Sequence, residues 1–134
     1  MKQFIISYVV AAVVMLGVDA IWLSVMSKKF YATQIGHLMS ETPKLGPAAI
    51  FYIIYILGLT ILVLQPALQN NFDYPKVLLW GAVFGMVAYA TYDLTNQATL
   101  RDWPVIVTVV DIIWGTILTG VVSGVAVYVT QLFK

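Results

Sequence analysis

Apolar positions in this chain do not alternate with polar ones. They run in four long blocks, residues 4–26, 48–66, 77–97 and 105–130, separated by short polar segments. Each block reaches or approaches the ~20 residues that cross ~30 Å of hydrocarbon at 1.5 Å per residue. Lipid offers no partner to an open backbone group, and the ~10-residue alternating segments of a membrane β-barrel do not occur. The pattern predicts an all-α membrane protein: a bundle of four transmembrane helices making one transmembrane domain over residues 1–134.

The segments between the blocks carry turn and breaker residues. The first, residues 27–47, holds Lys28, Lys29, His37, Glu41, Pro43, Lys44 and Gly46. Within it Phe30, Tyr31, Ile35, Leu38 and Met39 have the spacing of a short interfacial helix. The second holds Asn70, Asn71, Asp73, Pro75 and Lys76. The third runs from Thr99 to Pro104, and Pro104 suits the first turn of the helix that follows. Trp80, Trp103, Tyr31 and Tyr74 fall where interfacial aromatic anchors belong. Lys2 ahead of the first block, with Val18-Asp19-Ala20 near its end, resembles a secretory signal. The apolar run continues to Met26, long enough to span, so it is read as a retained helix.

Composition agrees. The chain is 61% hydrophobic and 10% charged, with a mean hydropathy of +0.92. A soluble domain of this size is about half apolar. A net charge of +1 leaves no basic surface for nucleic acid. The absence of cysteine removes disulfides, thiolate metal sites and cysteine nucleophiles. Four spans place both termini and the second loop on one face, here side A, with Lys2, Lys76 and Lys134. Side B, with the first and third loops, carries Lys28, Lys29, Lys44 and Arg101. This near-balance leaves the orientation open under the positive-inside rule.

The charges inside the blocks change the picture most. Only Asp19, Asp93 and Asp111 occur there, each on a different helix. A charged residue at mid-membrane costs ~2.5–3.5 kcal/mol on insertion scales. Asp19 lies nine residues before Lys28, Asp93 eight before Arg101, and Asp111 eight after Trp103. All three thus sit roughly 10–14 Å or less below side B. Tyr52 and Tyr55 reach the same layer from the second helix; Tyr89, Tyr92, Thr95 and Asn96 flank Asp93; Thr108 precedes Asp111 by one turn. The side-A halves are nearly all apolar or small, so the polarity suits a pocket open to side B better than a pore. Val18-Asp19-Ala20-Ile21-Trp22 and Val110-Asp111-Ile112-Ile113-Trp114 share four of five residues. Each sets Asp and Trp three apart on one helical face, where an indole N–H can donate to a carboxyl.

Two readings of the acids stand together. They can tie helices through hydrogen bonds worth ~0.6–2 kcal/mol each, or they can form a protonatable or cation-binding site. Zinc is disfavoured with one histidine and no cysteine. A hard cation on Asp19, Asp93, Asp111 and Asn96 oxygens is chemically allowed, though spacing supports it only weakly, and no metal site is assigned. His37 is read as a surface residue. Gly81-x-x-x-Gly85 and Gly120-x-x-x-Gly124 are close-packing motifs, expected inside the bundle ahead of a dimer interface. No phosphate-binding loop or nucleophile elbow occurs, and no cofactor is indicated.

Several stretches resemble a known family. They are Asp19-Ala20-Ile21-Trp22-Leu23, Phe51-Tyr52, residues 88–100 around Tyr92-Asp93-Leu94-Thr95-Asn96, Trp103-Pro104, and Asp111-Ile112-Ile113-Trp114-Gly115. Together they resemble the small bacterial membrane proteins grouped as domain of unknown function 2177, over essentially the whole chain. The resemblance implies four helices in a bacterial inner membrane. It also leans toward lipid biology, through the fatty-acid modification genes near which relatives are encoded. It implies no activity.

The expected site is Asp19, Trp22, Tyr52, Tyr89, Tyr92, Asp93, Asn96, Asp111 and Trp114. Its first reading is binding or movement of a lipid headgroup or a small cationic or zwitterionic ligand, with aromatic faces suited to an ammonium. Transport by four helices would call for a homodimer. The alternatives are a membrane-embedded enzyme of lipid modification, with Asp93 or Asp111 as general acid or base, and an accessory subunit of such an enzyme. No catalytic residue is assigned.

Overall fold

The computed structural model describes residues 1–70 and 73–133. Asn71 of the second loop and Lys134 of the side-A count lie outside the described residues. Four helices are each long and apolar enough to cross a membrane: α1 (Lys2–Leu38), α2 (Leu45–Gln69), α3 (Tyr74–Thr99) and α4 (Val105–Leu132). No strand occurs among the described residues. The chain is an all-α, four-helix, multi-pass membrane protein.

α1 does not stop at Met26. It passes through a π-turn over Ser27–Tyr31, a further α-turn over Ala32–Ile35 and a 3₁₀ turn over Gly36–Leu38. The helix expected within the first loop is therefore the continuation of α1. No glycine or proline lies between Gly17 and Gly36 to end it. Lys28 and Lys29 are exposed, and their long stems let the charge leave the helix without breaking it. α2 has its own π-turn, Thr60–Leu64, just ahead of Pro66. A proline lacks the N–H for an α-type bond and its ring crowds the carbonyl four residues earlier; the wider turn relieves both. Pro104 is the residue just before α4 rather than part of its first turn.

α4 sits at the centre and packs most extensively against α3, then against α1. The glycine motifs explain the α3–α4 contact. A Cβ on Gly81 would fall 2.7 Å from Ser123 Cβ and 3.0 Å from the Thr119 carbonyl oxygen. A Cβ on Gly85 would fall 2.6 Å from Thr119 Cβ and overlap the Gly115 carbonyl. Gly124 meets Leu78 in the same way. Both motifs thus serve α3–α4 packing, where small residues let backbones approach.

The main apolar core fills the side-A half, with Ala11, Met15, Ile56, Leu59, Leu64, Val122 and Val127 all buried. A smaller cluster of Ile35, Trp103 and Val107, joined by Phe30 and Tyr31, closes the side-B end. The outer faces stay apolar: Val9 and Val13 on α1, Ile53 and Leu57 on α2, and Val109, Ile113, Ile117 and Val121 on α4 are exposed. Such faces would be a liability in water and suit hydrocarbon.

Candidate functional site

The polar layer lies between these two apolar clusters. Asp19, Asp93 and Asp111 are all buried, delivered by α1, α3 and α4. Asp19 accepts two hydrogen bonds, one from the Tyr52 hydroxyl of α2 and one from Trp114 Nε1 of α4 at 3.3 Å. Asp111 accepts from the Tyr31 hydroxyl, and that same hydroxyl accepts from Trp22 Nε1 at 3.1 Å. The expected pairing of each Asp with the Trp three residues on in its own helix is therefore replaced by a crossed one. The tryptophan of α4 serves the acid of α1, and the tryptophan of α1 serves the acid of α4 through Tyr31. The two indoles stack between the helices, with centroids 4.0 Å apart and planes 8° from parallel. The repeated five-residue stretch places its Trp toward the neighbouring helix, where two indoles can bury their faces together.

Asp93 differs from the other two. It is 0% exposed, and neither carboxyl oxygen meets a hydrogen-bond donor among the described residues. Its charged neighbour is Asp111, one turn on from Thr108 in α4. Thr108 Oγ1 lies 3.5 Å from the Asp93 carbonyl and accepts from Trp103 Nε1 at 3.1 Å, which holds α3 against α4 at this level. Thr91, Thr95 and Thr99 bond backbone carbonyls of their own helix rather than Asp93.

A cavity of about 320 Å³ opens against this layer. Asp19, Trp22, Tyr52, Tyr89, Tyr92, Asp111 and Trp114 line it, so seven of the nine expected residues share one space. Asp93 and the half-buried Asn96 are outside the lining, Asn96 one turn beyond Tyr92. The cavity reaches the surface at Leu23, Met39 and Tyr92, all exposed. Gly115 lets the Tyr89 ring press against α4, since a Cβ there would overlap it. A second crevice, of about 340 Å³, is formed by Phe51, Ala88, Tyr89 and Tyr92 and shares its two tyrosines with the first.

A family model described as a predicted membrane protein, DUF2177, matches residues 4–128. The chain belongs to the DUF2177 family. The match contains the whole polar layer. Comparison with curated proteins and with solved structures gives no match in either.

Tyr31 and Trp103 of this DUF2177 chain line the cavity, although their positions in the sequence suit interfacial anchors. Both turn inward; Trp103 is buried and meets Tyr92 edge-on at 5.8 Å, whereas Trp80 and Tyr74 are exposed as expected. A signal for Tyr31 was present: Asp19, Leu23, Ser27, Tyr31, Ile35 and Met39 recur every four residues, and all six line the cavity. A strict period of four drifts around a 3.6-residue helix, and the wider π-turn offsets that drift. No three His, Asp or Glu side chains among the described residues converge to hold a metal ion, so the hard-cation reading lacks its donor set. Among the described residues the one contact between a basic and an acidic side chain is His37 with Asp102, at 3.4 Å and exposed. The buried acids therefore have no basic partner there, and His37 fastens the end of α1 to the α3–α4 loop.

Proposed function

We propose that this DUF2177 chain binds an ammonium-bearing ligand, a lipid headgroup or a small cation or zwitterion, in the cavity between Asp19 and Asp111. One observation carries the reading: two buried acids with no basic partner among the described residues line an aromatic-walled space that opens at the exposed side chains of Leu23, Met39 and Tyr92. Burying a carboxylate costs several kcal/mol unless charge or hydrogen bonds compensate. Tyr52, Trp114 and Tyr31 supply hydrogen bonds, and an ammonium would supply the charge. Aromatic faces attract the same group, most strongly when water is excluded.

The crevice beside Tyr89 and Tyr92 favours a lipid. It is walled by Phe51, Ala88 and the two tyrosine rings that it shares with the cavity. An acyl chain would lie there with its headgroup at the acids. Lys28 and Lys29, exposed on the turn whose Ser27 and Tyr31 line the cavity, suit a headgroup phosphate held outside. A bacterial inner membrane is the proposed location.

The test is a titration of the purified protein, in a non-ionic detergent, with choline and separately with a short-chain phosphatidylcholine, read by tryptophan fluorescence. Trp22, Trp103 and Trp114 line the cavity, so occupancy should change the emission. Saturation by the phospholipid alone identifies a lipid site, and saturation by both identifies a headgroup site. Asp19→Asn should weaken either. Folded protein that responds to neither probe rejects the reading.

A further inference from the structure

Asp93 is the one acid of the layer that the cavity does not explain. It is fully buried, and both of its oxygens lack a donor among the described residues. Thr108, at 3.5 Å from its carbonyl, brings α4 alongside, and its charged neighbour there is Asp111, whose carboxyl offers only acceptors while ionised. Two ionised carboxylates facing each other in a low-dielectric interior repel, with nothing between them to bond. One hydrogen atom between them removes both difficulties. It neutralises one group and donates to the other, making an O–H···O⁻ bond of the strong, charge-assisted kind.

The surroundings provide no substitute. From α1, Tyr31 donates to Asp111 and also lies near Asp93. From α3, Tyr92 lies near both acids and Tyr89 near Asp111. From α2, Tyr52 is committed to Asp19. No lysine, arginine or histidine among the described residues pairs with any of the three acids.

We propose that Asp93 and Asp111 hold one proton between them and give it up when an ammonium group enters the cavity, so that the site exchanges a proton for a cation. This rests on the cavity reading above. Asp111 belongs to both structures, as cavity wall and as partner of Asp93. An ammonium seated against Asp111 brings a positive charge to the pair. The carboxyl O–H bond then breaks, the proton leaves by the cavity mouth to water, and both acids are ionised with the cation beside them. One positive charge arrives and one departs, so the buried layer keeps its net charge. Tyr31 is a positioning residue, fixing Asp111 between the cavity and Asp93.

The test is calorimetric titration of wild type and Asp93→Asn with the short-chain phosphatidylcholine, in buffers of different ionisation enthalpy at one pH. Wild type should release about one proton per probe bound. Asp93→Asn should still bind, because its amide can donate to Asp111, and should release close to none. Wild-type binding without buffer-dependent heat overturns the exchange and leaves the cavity reading intact, as does undiminished release from Asp93→Asn. Absence of binding by folded wild type removes both. An infrared difference spectrum of wild type, with a carbonyl-free alkylphosphocholine minus without, gives a check independent of any variant. A protonated-carboxyl C=O band should disappear on binding, and its persistence overturns the exchange.

Discussion

Replacing Gly85 with alanine tests the α3–α4 contact that carries the polar layer. The added Cβ would lie 2.6 Å from Thr119 Cβ and would overlap the Gly115 carbonyl oxygen. Carbon atoms rest about 3.5–4.0 Å apart, so the helices must separate by about 1 Å or bend. The obstacle includes backbone, which cannot rotate aside. Overpacking of this kind costs about 1–3 kcal/mol. The gain from alanine's helix propensity, about 1 kcal/mol in water, is smaller here because the chain stays helical in lipid even when the bundle comes apart. Gly17→Ala is the matched control: it is also a helix-interior glycine, with nothing within 4 Å of its added Cβ. The assay is equilibrium unfolding by sodium dodecyl sulfate in mixed micelles, followed by tryptophan fluorescence, which reads separation of the packed helices. Gly85→Ala should shift the unfolding equilibrium toward the dissociated state by about tenfold or more, and Gly17→Ala should stay near wild type. Equal stability of the two variants, or a gain in Gly85→Ala, would refute the argument that close backbone approach holds this pair.

Two further outcomes follow from the crossed hydrogen bonds. Tyr31→Phe removes the donor to Asp111 and the acceptor for Trp22 together, and should cost about 1–3 kcal/mol in the same assay, more than Tyr52→Phe, which leaves Asp19 its bond from Trp114. The stacked indoles of Trp22 and Trp114 should give an exciton couplet in the far-ultraviolet circular dichroism; it should vanish in either Trp22→Phe or Trp114→Phe and survive Trp80→Phe.

Four membrane helices and the depth of the acids were legible because both follow from counting. A helix rises 1.5 Å per residue, so the distance of Asp19, Asp93 and Asp111 from the side-B charges can be read along the chain. Which side chains meet was less legible, because that depends on how each helix is rotated and on which helix stands beside it. Asp and Trp three apart on one helix suggested a local pair, yet stacking of the two indoles sent each Trp across the interface. Tyr31 was missed for a different reason. The polar Ser27-Lys28-Lys29 segment reads as the end of a span, although charged stems can leave a helix that continues. The isolation of Asp93 could not be read at all, since its four-residue neighbours on α3, Tyr89 and Gln97, say nothing of the carboxyl that faces it from α4.

The π-turn at Ser27–Tyr31 ties the cavity wall to arithmetic rather than to chemistry. It adds a fixed phase to everything that follows in α1. Deleting one residue from this turn would return it to α geometry and leave the remainder of the helix near its present phase, whereas deleting a second would swing that remainder by about 100°. Tyr31, Ile35 and Met39 would leave the wall as a set, and His37 would be carried away from Asp102. Exchanging the exposed Lys28 or Lys29 for another polar residue leaves that phase untouched. The side-B end of α1 therefore carries a constraint on length that its amino acids do not display.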